Sequence, residues 1–98
     1  MTRYRVLTWR DIPMQVKVFE DDLRPVSREL PKWFAEHIDR VAMRDGLLGA
    51  DTYLEQLAWS EFVERDGSAD EVADAVLAEL EAEWAPVRRH WELTGELG

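Results

Sequence analysis

The stretch Tyr4-Arg5-Val6-Leu7-Thr8-Trp9-Arg10-Asp11-Ile12-Pro13-Met14-Gln15-Val16-Lys17-Val18-Phe19 decides how the chain is read. Two alternating runs, Tyr4–Trp9 and Gln15–Phe19, flank a polar, proline-bearing joint. In the first, Tyr4, Val6 and Thr8 share one face, and Arg3, Arg5, Leu7 and Trp9 the other. In the second, Val16 and Val18 oppose Gln15, Lys17 and Phe19. Period-two alternation of β-forming residues predicts half-buried strands. Pro13 fixes its own φ and biases Ile12 toward extended geometry, while Asp11 suits a turn. Because proline cannot donate to a ladder, the expected arrangement is a β-hairpin with Pro13 in a loop of about four residues.

Outward from the hairpin, Glu20-Asp21-Asp22 forms a polar turn, and Val26, Arg28 and Leu30 alternate as in a short third strand. Pro31 suits a first helical position. Phe34, Ile38, Val41 and Ala42 follow at helical spacing, with Gly46 as a stop, which predicts a first helix over about residues 31–45. A second helix is predicted over about 52–65, capped by Asp51, with Leu54, Leu57, Ala58 and Phe62 as its buried stripe. Ser68 and Glu71 form a capping box that opens a third helix. Its apolar positions, Ala73, Leu77, Leu80, Trp84, Val87 and Trp91, repeat in a heptad-like pattern. Pro86 predicts a kink or a fresh helical start. The fold class is therefore α+β: a hairpin or three-stranded antiparallel sheet packed against three to four helices. It forms one domain over 1–98, with β-structure in 1–30, two helices in 31–67 and the third in 68–98.

Charge is unevenly distributed along a chain of net −9. Residues 1–30 carry six basic and five acidic groups, residues 31–67 four and eight, and residues 68–98 two and eight. An acidic two-thirds repels phosphate backbones, so nucleic acid is not an expected partner. Without cysteine there is no disulfide framework, thiolate nucleophile or thiolate metal site. No apolar run approaches the roughly 18 residues of a membrane span, and Met1–Val6 has no signal-like apolar segment; a cytoplasmic protein is expected.

Motifs for nucleotide, phosphate, zinc-protease or serine-hydrolase chemistry do not occur. His37 and His90 lie far apart and read as surface or half-buried residues rather than metal ligands. Glu79, Glu81 and Glu83 point to different helix faces and read as a solvated acidic surface. No cofactor or metal is expected.

Trp9, Arg10, Asp11 and Gln15 form the densest set of recognition groups. They combine an indole, a forked donor, a carboxylate and an amide. In one reading Asp11 caps the turn, Arg10 pairs with it or with an acidic helix, and Trp9 covers the core. In the other, Trp9, Arg10, Asp11, Ile12, Pro13 and Gln15 face a partner, with Arg40, Met43 and Arg44 of the first helix nearby. The chain holds five tryptophans, a residue enriched at interface hot spots and also an efficient filler of small cores. Trp84, Val87 and Trp91 are accordingly either core or a seam for a homodimer or partner.

The run Trp9-Arg10-Asp11-Ile12-Pro13-Met14-Gln15-Val16 resembles a small bacterial family known only as "virulence factor". Glu29-Leu30-Pro31-Lys32-Trp33-Phe34, Ile38-Asp39, Ala42-Met43-Arg44 and Asp51-Thr52-Tyr53-Leu54 carry the likeness on, over roughly residues 4–60. The helix after Ser68 reads as an extension beyond it. Related domains stand beside an iron–sulfur scaffold-like domain in longer conserved virulence factor C-like proteins, and near folate and corrinoid one-carbon enzymes. The resemblance implies an accessory subunit around metallocofactor or methyl-transfer proteins. This chain, lacking cysteine, would hold no cluster through thiolates.

The leading expectation is a non-catalytic module that docks on a larger enzyme or scaffold. Two alternatives are a ligand-binding or catalytic half-site using Arg10 and Asp11, and a homodimer held by the third helix.

Overall fold

The computed structural model describes residues 1–97. Its elements run β1 (Thr2–Trp9), β2 (Ile12–Glu20), β3 (Val26–Glu29), α1 (Lys32–Arg44), α2 (Ala50–Leu54), β4 (Leu57–Trp59), β5 (Val63–Glu64) and α3 (Ala69–Thr94). The fold is α+β, with a five-stranded antiparallel sheet ordered β3-β2-β1-β4 and β5 also paired to β1. β1 is the central strand. β2 flanks it along its whole length, from Thr2↔Glu20 to Trp9↔Ile12. On its other side lie β5, through Arg3↔Glu64 and Tyr4↔Val63, and β4, from Leu7↔Trp59 to Trp9↔Leu57.

The hairpin is tighter than expected. Only Arg10 and Asp11 connect the strands. A two-residue hairpin turn needs positive φ at its first position, usually supplied by glycine or asparagine. Here Arg10 adopts φ 57°. Its N–H donates to the Gln56 carbonyl at 2.8 Å, which holds the unusual conformation in place. Pro13, expected in the loop, lies inside β2 opposite Thr8. The register jumps there from Leu7↔Gln15 to Thr8↔Pro13, leaving Met14 as the extra residue of a bulge. β3 pairs only Gln15–Val18, so no neighbouring strand calls on a donor at Pro13.

α3 packs across β1, β2 and β3. Its buried residues Ala69, Val72, Ala73 and Val76 join Val16 and Val18 in the core. The predicted capping box is present: Glu71 N–H donates to Ser68 Oγ at 3.2 Å, and Ser68 N–H to Glu71 Oε1 at 3.1 Å. The helix continues through Pro86 to Thr94, so the fresh start expected there does not occur. α1 forms where the spacing placed it and buries Trp33, Phe34, His37, Ile38, Val41 and Ala42.

The predicted second helix is replaced by other structure. α2 spans five residues, follows Gly49 without a side-chain cap from Asp51, and gives way to β4 and β5. Leu54, Ala58 and Phe62 are exposed rather than buried. The free edge of β1 recruits Leu57–Trp59 and Val63–Glu64 as strands, and these long-range pairings override the local helical spacing.

His37, expected at or near the surface, is 4% exposed. Its ring stacks on Trp33 at 4.8 Å and meets Trp84 edge-on at 6.0 Å. Burial, and then the Arg40 and Arg44 cations, hold its pKa below 6.5, with Asp11 partly opposing. A depressed histidine pKa means that the fold prefers the neutral ring. Its stabilising contribution is complete above the unfolded value near 6.5 and is lost progressively below it. Urea denaturation at pH 7.5 and 5.5 is therefore expected to show an acid-side loss of stability that shrinks in His37→Phe. Identical pH slopes for the two proteins would remove His37 as its source.

Candidate functional site

The recognition-rich loop divides in three. Trp9, Ile12 and Pro13 are core residues: Trp9 is fully buried and Ile12 nearly so. Trp9 Nε1–H donates to the Tyr53 carbonyl at 2.9 Å, and its ring tilts against Tyr53 at 5.5 Å. Chain reversal over only two residues draws Trp9 and Ile12 together, and α2 then covers the indole, so none of these three side chains can face a partner. Arg10 remains at the exposed tip, where its Nη1 donates to Asp45 Oδ2 at 2.6 Å. Arg44 Nε donates to Asp45 Oδ1 at 2.9 Å. These bonds, from Arg44 and then Arg10, hold the Asp45 carboxyl down at about 2. An anion bound by Arg10 would have to displace that carboxylate. Asp11 and Met43 are also exposed at this end of the molecule.

Arg40 turns inward, its guanidinium 4.0 Å from the Trp91 ring centre. Trp84, Val87 and Trp91 pack on the chain's own core, Trp84 against Phe34 at 6.3 Å. The stripe considered as a dimer seam is thus partly covered by α1, with Trp84, Val87 and Trp91 each remaining half-buried.

Gln15 lies on a different surface, which the strand registers define. Directly paired residues of antiparallel strands share a face. One face carries Tyr4, Val6, Val16 and Val18 and is sheathed by α3. The other carries three rows. Trp59, Leu7, Gln15 and Glu29 make the first; Arg5, Lys17 and Ser27 the second; Glu64, Arg3 and Phe19 the third. Phe62, from the β4–β5 connection, folds over the last two. Arg3 Cζ lies 4.6 Å from the Phe62 ring centre and Arg5 Cζ 4.9 Å from it. Arg5 Cζ is also 4.4 Å from Trp59, and Lys17 Nζ 5.7 Å from Phe19. The face is an alternation of cations and aromatic rings, with Trp59 and Phe62 exposed.

Toward α1 this face deepens into a cleft of about 240 Å³ lined by Leu7, Met14, Leu30 and Phe34, with Gln15 and Glu29 also in its lining. That volume suits one large side chain better than a drug-sized ligand, whose pockets run to roughly 300–1,000 Å³. Among the described residues Arg3, Arg5 and Lys17 form no ion pair, whereas Arg10, Arg28, Arg44, Arg65 and Arg88 do. Arg5 Nε is buried without a hydrogen-bond partner. This arrangement can bind through stacked guanidinium groups, indole and phenyl surfaces and an apolar cleft.

Alternation placed Arg3, Arg5 and Leu7 together. It missed Trp59 and Phe62, whose only sequence signal was the short strand-like run Leu57-Ala58-Trp59.

The architecture defines the class: a small α+β domain whose antiparallel sheet is sheathed by helix on one face and bears a cation–aromatic array on the other. Within it, the chain belongs to the family described as "Virulence factor", which matches residues 7–89. The match runs through most of α3, so the helix after Ser68 belongs to the family's domain rather than extending it. No curated protein and no solved structure matches the chain. Among the described residues no helix is long and apolar enough to cross a membrane.

Proposed function

We propose that the protein is a non-catalytic docking module that engages a larger bacterial protein through the open face of its sheet. The observation that carries this reading is the composition of that face. An antiparallel sheet commonly leaves one face in water, and such a face is ordinarily polar. Here it presents Trp59, Phe62, Phe19 and Leu7 interleaved with Arg3, Arg5 and Lys17. Tryptophan and arginine are the residues most enriched where binding energy concentrates. The module's surface therefore moves from the hairpin tip to the sheet. The genomic settings suggested by the family resemblance direct the search for the partner to metallocofactor and corrinoid or folate one-carbon proteins.

Photo-crosslinking in the native host tests the reading. A crosslinking amino acid replaces Ser27, exposed on the open face beside Lys17, or Glu81, exposed on α3. A discrete adduct from position 27 and none from position 81 is expected. Adducts from position 81 alone, or from neither, would overturn the assignment.

A further inference from the structure

We propose that the segment bound by this face is an extended acidic stretch of a partner protein, with carboxylates at alternate positions and one apolar side chain leading them. The proposal rests on the docking reading above and specifies the partner's chemistry.

Three observations carry it. The first is charge. The chain has 21 acidic and 12 basic side chains, so carboxylate partners are plentiful. Arg3, Arg5 and Lys17 form no ion pair among the described residues, as Arg24, Lys32, Arg40 and Arg89 also do not, but these three are the ones the strand register makes neighbours on one face. The second is presentation. Aromatic rings lie against the Arg3 and Arg5 guanidinium groups, with Cζ 4.4–4.9 Å from the ring centres of Trp59 and Phe62. A guanidinium held over an aromatic ring still has N–H groups for a carboxylate, and the contact limits its freedom beforehand. The third is spacing. Arg3, Arg5 and Leu7 are alternate residues of β1 and repeat at about 6.6 Å, the same-face interval of any extended chain. A segment lying along β1 sets two carboxylates against Arg3 and Arg5 and its apolar residue over Leu7, at the mouth of the cleft.

The same surface fits a nucleic-acid strand poorly. Three cations neutralise few phosphates, and the apolar cleft gives a sugar-phosphate backbone nothing to bury.

The test is an NMR titration of the full chain, following the backbone amides of β1 and β2 and the Trp59 indole. Three probes are compared: a peptide with leucine, glutamate and glutamate at alternate positions, its counterpart with both glutamates replaced by glutamine, and a single-stranded oligouridine. The acidic peptide is expected to shift the Arg3–Leu7 amides and the Trp59 indole. The glutamine peptide should bind about tenfold more weakly at low salt, the loss of two charge-assisted pairs at an exposed site. Arg3→Glu and, separately, Arg5→Glu with Lys17→Glu should abolish the shifts while leaving the melting temperature near that of the wild type. Equal binding of both peptides, shifts confined to other surfaces, no binding, or preference for the oligonucleotide would each overturn the proposal. If crosslinking from position 27 persists while the acidic peptide fails, the docking role stands and the partner's chemistry is different. If both fail, the docking role falls with it.

Discussion

Trp9→Ala is expected to remove much of the protein's stability. The indole is fully buried, packs on Tyr53, and satisfies the Tyr53 carbonyl with its only polar hydrogen. Truncating a buried aromatic residue costs about 3–5 kcal/mol, because the cavity adds to the lost transfer energy. The lost indole hydrogen bond adds at most roughly 1 kcal/mol, because the Tyr53 carbonyl keeps the Gln56 N–H at 3.2 Å. A domain of this size has a total stability of about 5–10 kcal/mol, so the substitution removes much of it. Trp9→Phe separates the two effects. It keeps most of the ring and loses the donor, so it should cost roughly 1–3 kcal/mol, from the hydrogen bond and a small cavity. Urea denaturation followed by circular dichroism measures both. A Trp9→Ala protein within about 1 kcal/mol of the wild type would contradict the burial argument.

Trp84→Ala is the second large effect. Trp84 stands where α3 meets α1, edge-on to Phe34 and His37, and is half-buried. Partial exposure puts the expected loss at the low end of the range for aromatic truncation, about 2–3 kcal/mol. Amide exchange should rise most in α3 beyond Glu83, the part of the helix that reaches past the sheet to α1. The melting temperature of wild type and variant should not depend on protein concentration if the packing of Trp84, Val87 and Trp91 on this chain's own core is their whole role. A melting temperature that rises with concentration in the wild type and not in the variant would restore the homodimer reading.

The sequence was legible wherever a pattern was settled by neighbours close along the chain. The alternation of Tyr4–Trp9 and Gln15–Phe19, the helical spacing of Phe34, Ile38, Val41 and Ala42, and the Ser68–Glu71 box all became the elements they predicted. Legibility failed where a distant partner decided. Leu54, Leu57, Ala58 and Phe62 satisfy a helical template, but β1 had an unfilled edge, and hydrogen bonding along it outweighed local preference. Pro13 looked like a loop residue because nothing local reveals that β3 stops short of it. Only part of the candidate site was readable for the same reason. Arg3, Arg5, Leu7, Gln15 and Lys17 fall on one face by parity alone, while Trp59 and Phe62 reach that face only through the pairing of β4. Trp9 shares their parity, yet the two-residue turn and Tyr53 close that end of the face.

The place of β1 between β2 and the β4–β5 edge sets an order of assembly on the ribosome. β1 and β2 emerge together and can pair at once. The other edge of β1 stays bare until residues 57–64 have been made, and its apolar face until α3 has followed. For most of synthesis the nascent chain therefore displays an open strand edge, a template for pairing with other chains. Translation stalled before Leu57 would release a fragment with that edge exposed, so much of this domain's folding risk rests on the completion of residues 57–94.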